Sequence, residues 1–161
     1  MKLVPVSELF DVSYGTNLEL NALKEDPNGV NFVSRTALNN GVSAKVKRIA
    51  ALEPIEVGVI SVAGGGSVAE AFLQPDPFYS GRDVFYLRPK TAMSVERKLF
   101  FCMCIRANKF RFNYGRQANK TLRELLIPDT SEVPNWASDV FTRVVDKWTK
   151  QLGKLRAATQ A

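Results

Sequence analysis

The residues with the clearest chemical potential lie between positions 109 and 128, in the stretch KFRFNYGRQANKTLRELLIP. Four basic side chains alternate here with aromatic rings and amides. They are Lys109, Arg111, Arg116 and Lys120. From Arg97 to Arg123 the chain holds eight Lys or Arg residues and no Asp or Glu. Cations at this density can neutralise phosphates, and Arg, Asn and Gln form paired hydrogen bonds to guanine or adenine edges. The segment therefore has the composition of a surface that binds a polyanion.

The charge of the chain is divided unevenly along its length. The 161 residues carry a net charge of +6. Residues 1–90 hold nine basic and ten acidic side chains, whereas residues 91–161 hold thirteen basic and six acidic ones. A basic half joined to a neutral half is typical of a protein that binds nucleic acid. A merely basic surface would give the same counts, so charge alone leaves both interpretations open.

Catalytic and metal-binding groups are scarce. The sequence has no histidine, which removes Ser-His and Cys-His catalysis, the commonest general base and most transition-metal sites. Cys102 and Cys104 stand two apart in a helical pattern. On a helix they would point about 200° apart, so we expect buried structural thiols and neither a disulfide nor a shared metal. We predict no metal, no cofactor and no enzymatic activity.

Two stretches look like ligand-binding or catalytic motifs but lack essential residues. AGGGSVAEA, residues 63–71, has no Gly-Lys-Ser/Thr to reach phosphates, and we interpret it as a glycine turn between two strands. DPFY, residues 76–79, resembles the Asp-Pro-Pro-Tyr motif of adenine methyltransferases. It lacks the second proline, and no cofactor-binding glycine motif precedes it. We assign neither stretch to an active site.

The stretch from Arg97 to Arg123 is called the basic segment below. The spacing of apolar residues in the elements that must position it changes near residue 90. Before it, alternating or continuous apolar runs predict strands at residues 30–34, 57–62, 71–73 and 83–87. After it, apolar residues recur at helical spacing. The fold class is α+β. We predict a twisted, mainly antiparallel sheet or small barrel with flanking helices, followed by a C-terminal spacer or dimerisation helix.

Two helices are predicted around the basic segment itself. The first spans residues 94–110 with Ser94 as its N-cap, and the second runs from Asn119 through Leu126. We expect Phe110 and Phe112, which follow on from the first helix, to lie in the core.

A last helix is predicted from Pro134 to about Leu155, and it carries an apolar heptad stripe with basic flanks. The stripe comprises Phe141, Val144, Trp148, Leu152 and Leu155. Such a stripe fits contact with a second chain, but an amphipathic helix packed on its own domain has the same periodicity. We divide the chain into a domain at residues 1–130 and a C-terminal helical segment at residues 131–161.

Four blocks, in the same order, resemble target recognition domains of type I restriction–modification specificity subunits. NFVSRTALNNGVSAKV (31–46) resembles their early strand and NNG turn. VISVAGGGSVAEAFLQPDPFYSGRDVFYLRPK (59–90) is similar to their central block, and NKFRFNYGRQANKTLRELLIP (108–128) to their closing block. PNWASDVF (134–141) resembles the start of the spacer helix that follows, in a form also seen in type IIB and IIG enzymes.

The resemblance implies a DNA-reading module that does no chemistry. In the family, a specificity subunit carries two such domains, each followed by a long helix, while methyltransferase and restriction subunits supply catalysis. Here there is one domain and a last helix of about 22 residues, or about 33 Å. A half-subunit that homodimerises, a truncated product and a repurposed domain all fit. The implied partners are double-stranded DNA, a methyltransferase subunit, a restriction subunit and a second copy of the chain.

The resemblance also implies a DNA face that joins the basic segment to the NNG turn. Long cations should bind phosphates, at Arg35, Lys45, Arg111, Arg116 and Lys120. Short amides should read bases, at Asn39, Asn40, Asn113 and Gln117, with Thr36 on the same face. The helix stripe would contact the partner chain. Two alternatives are a regulatory protein that mimics a specificity subunit without binding DNA and a small enzyme with an unrecognised site.

A cytoplasmic location is the expectation from the sequence. No apolar run approaches the roughly 18 residues that a membrane span needs. The first ten residues contain one lysine and Glu8, and they lack the pattern of a signal peptide.

Overall fold

The computed structural model describes residues 1–112, 118–119 and 121–159, without the side chains of Ser138, Phe141 and Thr159. This part of the chain contains nine strands and three α-helices. The strands are β1 Leu3–Pro5, β2 Phe10–Tyr14, β3 Glu25–Val33, β4 Val42–Val46, β5 Ile60–Ala63, β6 Ala71–Leu73, β7 Phe78–Ser80, β8 Val84–Pro89 and β9 Leu126–Pro128. The helices are α1 Val6–Leu9, α2 Val95–Ala107 and α3 Trp136–Thr159.

The strands form three sheets with the orders β1-β9, β2-β8-β5-β6 and β4-β3-β7. Every pairing is antiparallel except that of β3 with β7, which runs parallel from Asn31 opposite Phe78 to Val33 opposite Ser80. The α+β class and the mainly antiparallel strands are confirmed. Within the described residues no sheet closes on itself, so the small-barrel form of the prediction is wrong.

The main core lies between the four-stranded sheet and α2. Ile60 on β5 and Leu87 on β8 are opposite each other and fully buried. Phe101 of α2 is also fully buried and packs edge-on against Phe10, with ring centroids 5.5 Å apart. Burying a side chain of this size stabilises a fold by about 1.5–3 kcal/mol. This packing holds α2, and the part of the basic segment that follows it, against the sheet.

The helix predicted from Asn119 through Leu126 is wrong. Only a short 3₁₀ helix, Leu122–Glu124, forms there, and Leu126–Pro128 continues as β9. The reason is tertiary pairing: β9 lies against β1, with Leu3 opposite Pro128. The Leu125 carbonyl also accepts a hydrogen bond from the Val6 amide at 2.9 Å.

An ion pair reinforces this closure of the two chain segments. Lys2 pairs with Asp129, and the hydrogen bond between them lowers the pKa of the Asp129 carboxyl and raises the pKa of the Lys2 ammonium. The Asp129 amide also donates to the Lys2 carbonyl at 3.0 Å. The first and last strands are therefore fastened to each other.

Other predicted elements lie close to their observed positions. β5 pairs with β6 across the glycine turn, with Val62 opposite Ala71. The predicted strand at residues 57–62 begins later, at Ile60, and Gly58 before it has a positive φ of 77°. Ser94 caps α2, its hydroxyl oxygen accepting from the Arg97 amide at 3.4 Å.

The described contacts of α3 with the body lie at its start. Trp136 packs edge-on against Phe100 of α2, with ring centroids 6.3 Å apart, and Ala137 is buried. Beyond this turn the described stripe residues are exposed, Trp148 by 60%. They are Val144, Trp148, Leu152 and Leu155, whereas the side chain of Phe141 lies outside the described part of the chain. For the described side chains, the alternative of a helix packed along its own domain therefore applies to the first turn alone. Among the described helices, none is long and apolar enough to span a bilayer.

Candidate nucleic-acid interface

The NNG turn forms one side of the candidate face. Asn39, Asn40 and Gly41 are consecutive residues in the left-handed conformation, with φ of 46°, 56° and 79°. Asn and Gly tolerate this conformation better than other residues do. The Asn39 amide donates to the Val42 carbonyl at 3.0 Å, and the Asn40 amide donates to the Leu73 carbonyl at 3.1 Å. Both side chains are exposed but already hold the turn in shape.

Gln74 supports the turn from below, and sequence reasoning missed it. It is fully buried and donates to the Asn40 carbonyl at 2.9 Å and to the Ser61 hydroxyl at 2.8 Å. The only signal in the sequence is a glutamine directly after the strand Ala71–Leu73. The amide links the NNG turn to the four-stranded sheet.

Arg35 lies across the glycine turn that connects β5 with β6. Its guanidinium Nη1 donates to Asp83 Oδ2 at 3.0 Å, and its carbonyl accepts from the Ser67 amide at 3.2 Å. A Cβ at Gly65 would come within 3.1 Å of Arg35 Nη1, and one at Gly66 within 3.1 Å of Arg35 Cβ. The glycines are therefore needed for close packing of the arginine, in agreement with a glycine turn.

Asp83 joins three parts of the chain, and sequence reasoning did not assign it a role. It is buried and has a positive φ of 55°. Its carboxylate accepts from Arg35, from the Tyr14 hydroxyl at 3.3 Å and from the Asn119 amide at 2.9 Å. The Ala118 amide donates to the Gly64 carbonyl at 2.8 Å close by. Arg35 before the NNG turn, β2 and the closing segment thus meet at one carboxylate, and the Gly64 amide of the glycine turn donates to the Asp83 backbone carbonyl at 2.7 Å.

A second buried carboxylate, Glu70, compensates part of the basic segment. Arg106 Nε lies 3.1 Å from Glu70 Oε2, and Lys109 pairs with Oε1. The Arg106 guanidinium also lies over the Phe72 ring at 4.4 Å. The segment that has no carboxylates in its own sequence is therefore paired with a carboxylate from the residue just before β6.

Two further cations of this segment bind backbone carbonyls. Lys98 donates to the Gly58 carbonyl at 2.7 Å, and Arg123 donates to the Val12 carbonyl at 2.5 Å. These hydrogen bonds hold α2 and the 3₁₀ helix Leu122–Glu124 against the rest of the domain. The sequence did not indicate this role for the two cations.

Arg35, Lys45 and Arg111 are the exposed cations among the described site residues, and Arg35 is paired with the buried Asp83. Arg111 lies over the Phe110 ring at 5.5 Å. Phe110 is 66% exposed, so its predicted place in the core is wrong, whereas Phe112 is half-buried against the core. After α2 the chain turns through a 3₁₀ helix, Lys109–Phe112, which directs only the second ring inward.

A shallow depression lies between the loop before the NNG turn, the glycine turn and the basic segment. Ala37 in that loop, Ser67 in the glycine turn, and Lys109 and Phe112 from the basic segment all line it. Thr36, which precedes Ala37 in the chain, accepts a hydrogen bond from the Leu38 amide at 3.2 Å. The predicted residues Asn39, Asn40 and Lys45 line a second groove. Four predicted site residues fall outside the described part of the chain, namely Asn113, Arg116, Gln117 and Lys120.

Comparison with known proteins gives this architecture a family. The profile of the type I restriction modification DNA specificity domain matches residues 1–128. The chain belongs to this family. It is also 27% identical over 135 residues to the type II restriction enzyme BgcI specificity subunit S.BcgI of Heyndrickxia coagulans, a match that covers 81% of this chain and 39% of that protein.

Solved structures show the same fold. The HsdS subunit from Thermoanaerobacter tengcongensis superposes with a TM-score of 0.64 at 16% identity, covering 98% of this chain and 39% of that one. The type I restriction-modification system S subunit from M. genitalium gives 0.63 at 19% identity, with 97% and 41% covered. The chain thus spans about two fifths of the length of these relatives.

Two further observations concern metal-binding groups and the two cysteines. Among the described residues of the domain no three His, Cys, Asp or Glu side chains are grouped to hold a metal ion. Burial raises the pKa of the Cys102 thiol to about 12 and that of Cys104 to about 11. Both thiols are therefore protonated at neutral pH and poor nucleophiles. Cys102 is buried and Cys104 half-buried, which fits the interpretation as structural thiols.

Proposed function

We propose that the chain is a target recognition module that binds double-stranded DNA, reads its sequence and catalyses no reaction itself. The observation that carries this proposal is the meeting of three separate segments on one face. The loop before the NNG turn, the glycine turn and the basic segment line one depression. Two buried carboxylates, Asp83 and Glu70, pair with cations from the first and the last of these segments. In a DNA specificity domain, such a face is the natural candidate for contact with the duplex.

Phosphate binding and base reading are divided between two kinds of side chain. Lys45 and Arg111 are exposed, and with Arg116 and Lys120 they would set the affinity through phosphates. Amides discriminate base edges. We assign that part to Asn39, Asn40, Asn113 and Gln117. For the first two, the hydrogen bonds that hold the turn would also hold the amide in place.

The C-terminal helix is proposed to contact a partner chain. Residues 1–130 would form the recognition domain and residues 131–161 the contact segment, in keeping with the pairing of β1 with β9 and with a family match that ends at residue 128. α3 has 24 residues, about 36 Å. Its exposed apolar stripe suits a methyltransferase subunit or a second copy of the chain, and a restriction subunit would join through that complex. Because DNA is its ligand, we propose a cytoplasmic location.

One observation favours the alternative of a regulatory mimic that does not bind DNA. Arg35, Arg106 and Lys109 are all paired with buried carboxylates, which reduces the charge available to phosphates. In that case α3 would occupy the site of a specificity subunit on a methyltransferase.

Binding to a pool of duplexes with a randomised central segment separates the two functions. The chain would be titrated alone and together with a type I methyltransferase subunit, at a low and a moderate salt concentration. We expect binding that weakens steeply with salt, together with enrichment of one sequence in the complex. A stable complex with the methyltransferase and no binding of DNA by either sample would instead establish the mimic.

A further inference from the structure

Arg35 differs from Lys45 and Arg111, the other described cations of the predicted face, because hydrogen bonds fix both its backbone and its guanidinium. Its backbone carbonyl accepts from Ser67 at 3.2 Å, and its guanidinium donates to Asp83 at 3.0 Å. Asp83 is in turn held by Tyr14, whose hydroxyl accepts a hydrogen bond from the Asp83 amide at 2.7 Å. The position of the guanidinium is therefore determined by the sheet and not by a free rotamer.

The fixed guanidinium is nevertheless accessible. The Arg35 side chain is 40% exposed, whereas the carboxylate-bearing side chain of Asp83 is 12% exposed. The neighbouring glycines add no side chains that would cover it. A guanidinium carries five N–H donors in a rigid fork, and the ion pair uses Nη1. The other N–H donors of the Arg35 guanidinium thus remain beside the glycine turn, on the proposed DNA face.

Binding a phosphate and reading a base make different demands on a cation. Phosphates recur along both strands, so a mobile cation can find one. A base edge requires donors at a defined place, and a preoriented fork loses less conformational entropy on binding. The commonest specific contact of arginine is the pair of acceptors on guanine in the major groove.

We infer that Arg35, held in place by Asp83, reads a guanine of the target. Its charge had suggested a phosphate ligand, and this inference replaces that assignment. The inference rests on the proposed DNA binding and deepens it. Asp83 is then a positioning residue. Because the ion pair has no net charge, it contributes to discrimination between sequences and little to the salt-dependent affinity.

The neutrality of the pair allows a clean test. The double variant Arg35→Gln, Asp83→Asn removes the ion pair without changing the net charge, and asparagine tolerates the positive φ at position 83. A matched control is Arg82→Gln, Glu19→Gln. This pair, 3.2 Å apart and exposed, lines a groove that Arg35 also lines. It has no buried carboxylate to orient its arginine.

The experiment first selects the preferred duplex of the parent chain, in complex with the methyltransferase subunit, from the randomised pool. Affinities are then measured for that duplex and for duplexes in which each guanine is replaced in turn, at two salt concentrations. We expect the test double to lose about 5- to 150-fold of the preference at one guanine. Its salt dependence should be unchanged, and the control double should keep the full preference.

Three results would overturn the inference. If the test double keeps every guanine preference, Arg35 has only a structural role. A uniform loss on all sequences, with a salt slope lowered by about one, makes Arg35 a phosphate ligand. If the parent itself shows no DNA binding or no sequence preference, the proposed function fails and the inference fails with it.

Folding of each variant is checked by thermal unfolding. If the test double is unfolded, Arg35→Lys replaces it, because lysine keeps the charge but lacks the fork. The same loss at one guanine is then expected, and full retention of the preference by Arg35→Lys would equally contradict guanine reading.

Discussion

The body of the domain and α3 differ in the burial of their large apolar side chains and of their ion pairs. In the body, large aromatic rings such as Phe10, Phe32 and Phe101 are buried, and two buried carboxylates hold cations from distant segments. In α3, large apolar side chains are exposed, and the ion pair within the helix, Arg143 with Asp139 at 2.8 Å, lies at the surface. The body is thus stabilised by its own packing. A helix stabilised only by propensity and surface pairs is marginal in water, so we propose that α3 beyond its first turn is stabilised by contacts with a partner chain.

The largest contrast is expected between aromatic truncations in the two regions. Phe101→Ala removes a fully buried ring and should cost about 3–5 kcal/mol of the free energy of unfolding. Trp148→Ala, on the exposed stripe, should change it by about 0.5 kcal/mol or less in the dilute isolated chain. Urea unfolding of both variants measures the difference. A cost for Trp148→Ala close to that of Phe101→Ala would show that α3 folds onto the body.

Two glycines give the next contrast. A Cβ at Gly64 would lie 2.4 Å from Asn119 Oδ1 and 2.7 Å from the Phe85 ring, so Gly64→Ala should destabilise the body by about 2–3 kcal/mol. A Cβ at Gly153 in α3 meets nothing within 4 Å. Gly153→Ala should therefore stabilise the helix by up to about 1 kcal/mol. Thermal unfolding followed by far-UV circular dichroism tests both signs, and destabilisation by Gly153→Ala would mean that this face of α3 is already packed.

A smaller difference is expected between two carboxylates. Glu70→Gln leaves Arg106 and Lys109 without their shared counter-charge and should cost about 1–2 kcal/mol. Asp139→Asn breaks only an exposed pair within α3 and should cost about 0.5 kcal/mol or less. Denaturant midpoints at equal ionic strength provide the comparison. Equal costs would remove the distinction between buried and surface pairing.

Short-range sequence patterns predicted much of the fold but not the pairing of its first strand with its last. The helix after Ser94 and the hairpin across the glycine turn follow from short-range patterns, namely a cap, a helical period and a turn. The pairing of β1 with β9 joins segments more than 120 residues apart, and three-residue strands have no period to detect. The strand predicted at residues 30–34 begins earlier, at Glu25, since Glu25 and Val30 both pair with Val46 around a bulge.

The candidate site was predictable in composition but not in geometry. Residue types indicated the NNG turn and the basic segment as two parts of one face. The loop before that turn shares a depression with the basic segment, but Asn39 and Asn40 themselves line a second groove. What sequence could not supply was the pairing of charges. Whether Arg35 is free or held depends on Asp83, 48 residues away, and whether Lys109 is compensated depends on Glu70, 39 residues away. Phe110 was misplaced because a 3₁₀ turn changes the direction of the chain after α2.

The most direct test of the account is charge reversal on the proposed DNA face and at a control position. Lys45→Glu, Arg111→Glu changes two exposed cations of the proposed face, and leaves Arg35 and Lys109, which are paired with buried carboxylates, unchanged. Arg88→Glu, Lys90→Glu makes the same change in net charge at the opposite end of β8, about 16 Å along the strand from Asp83.

Duplex binding by both double variants and the parent chain, each in complex with the methyltransferase subunit, would be measured over a series of salt concentrations. We predict that the control double binds like the parent, whereas the face double binds more weakly and has a salt slope lower by about two. Binding by the face double that equals that of the control double at every salt concentration would contradict the account.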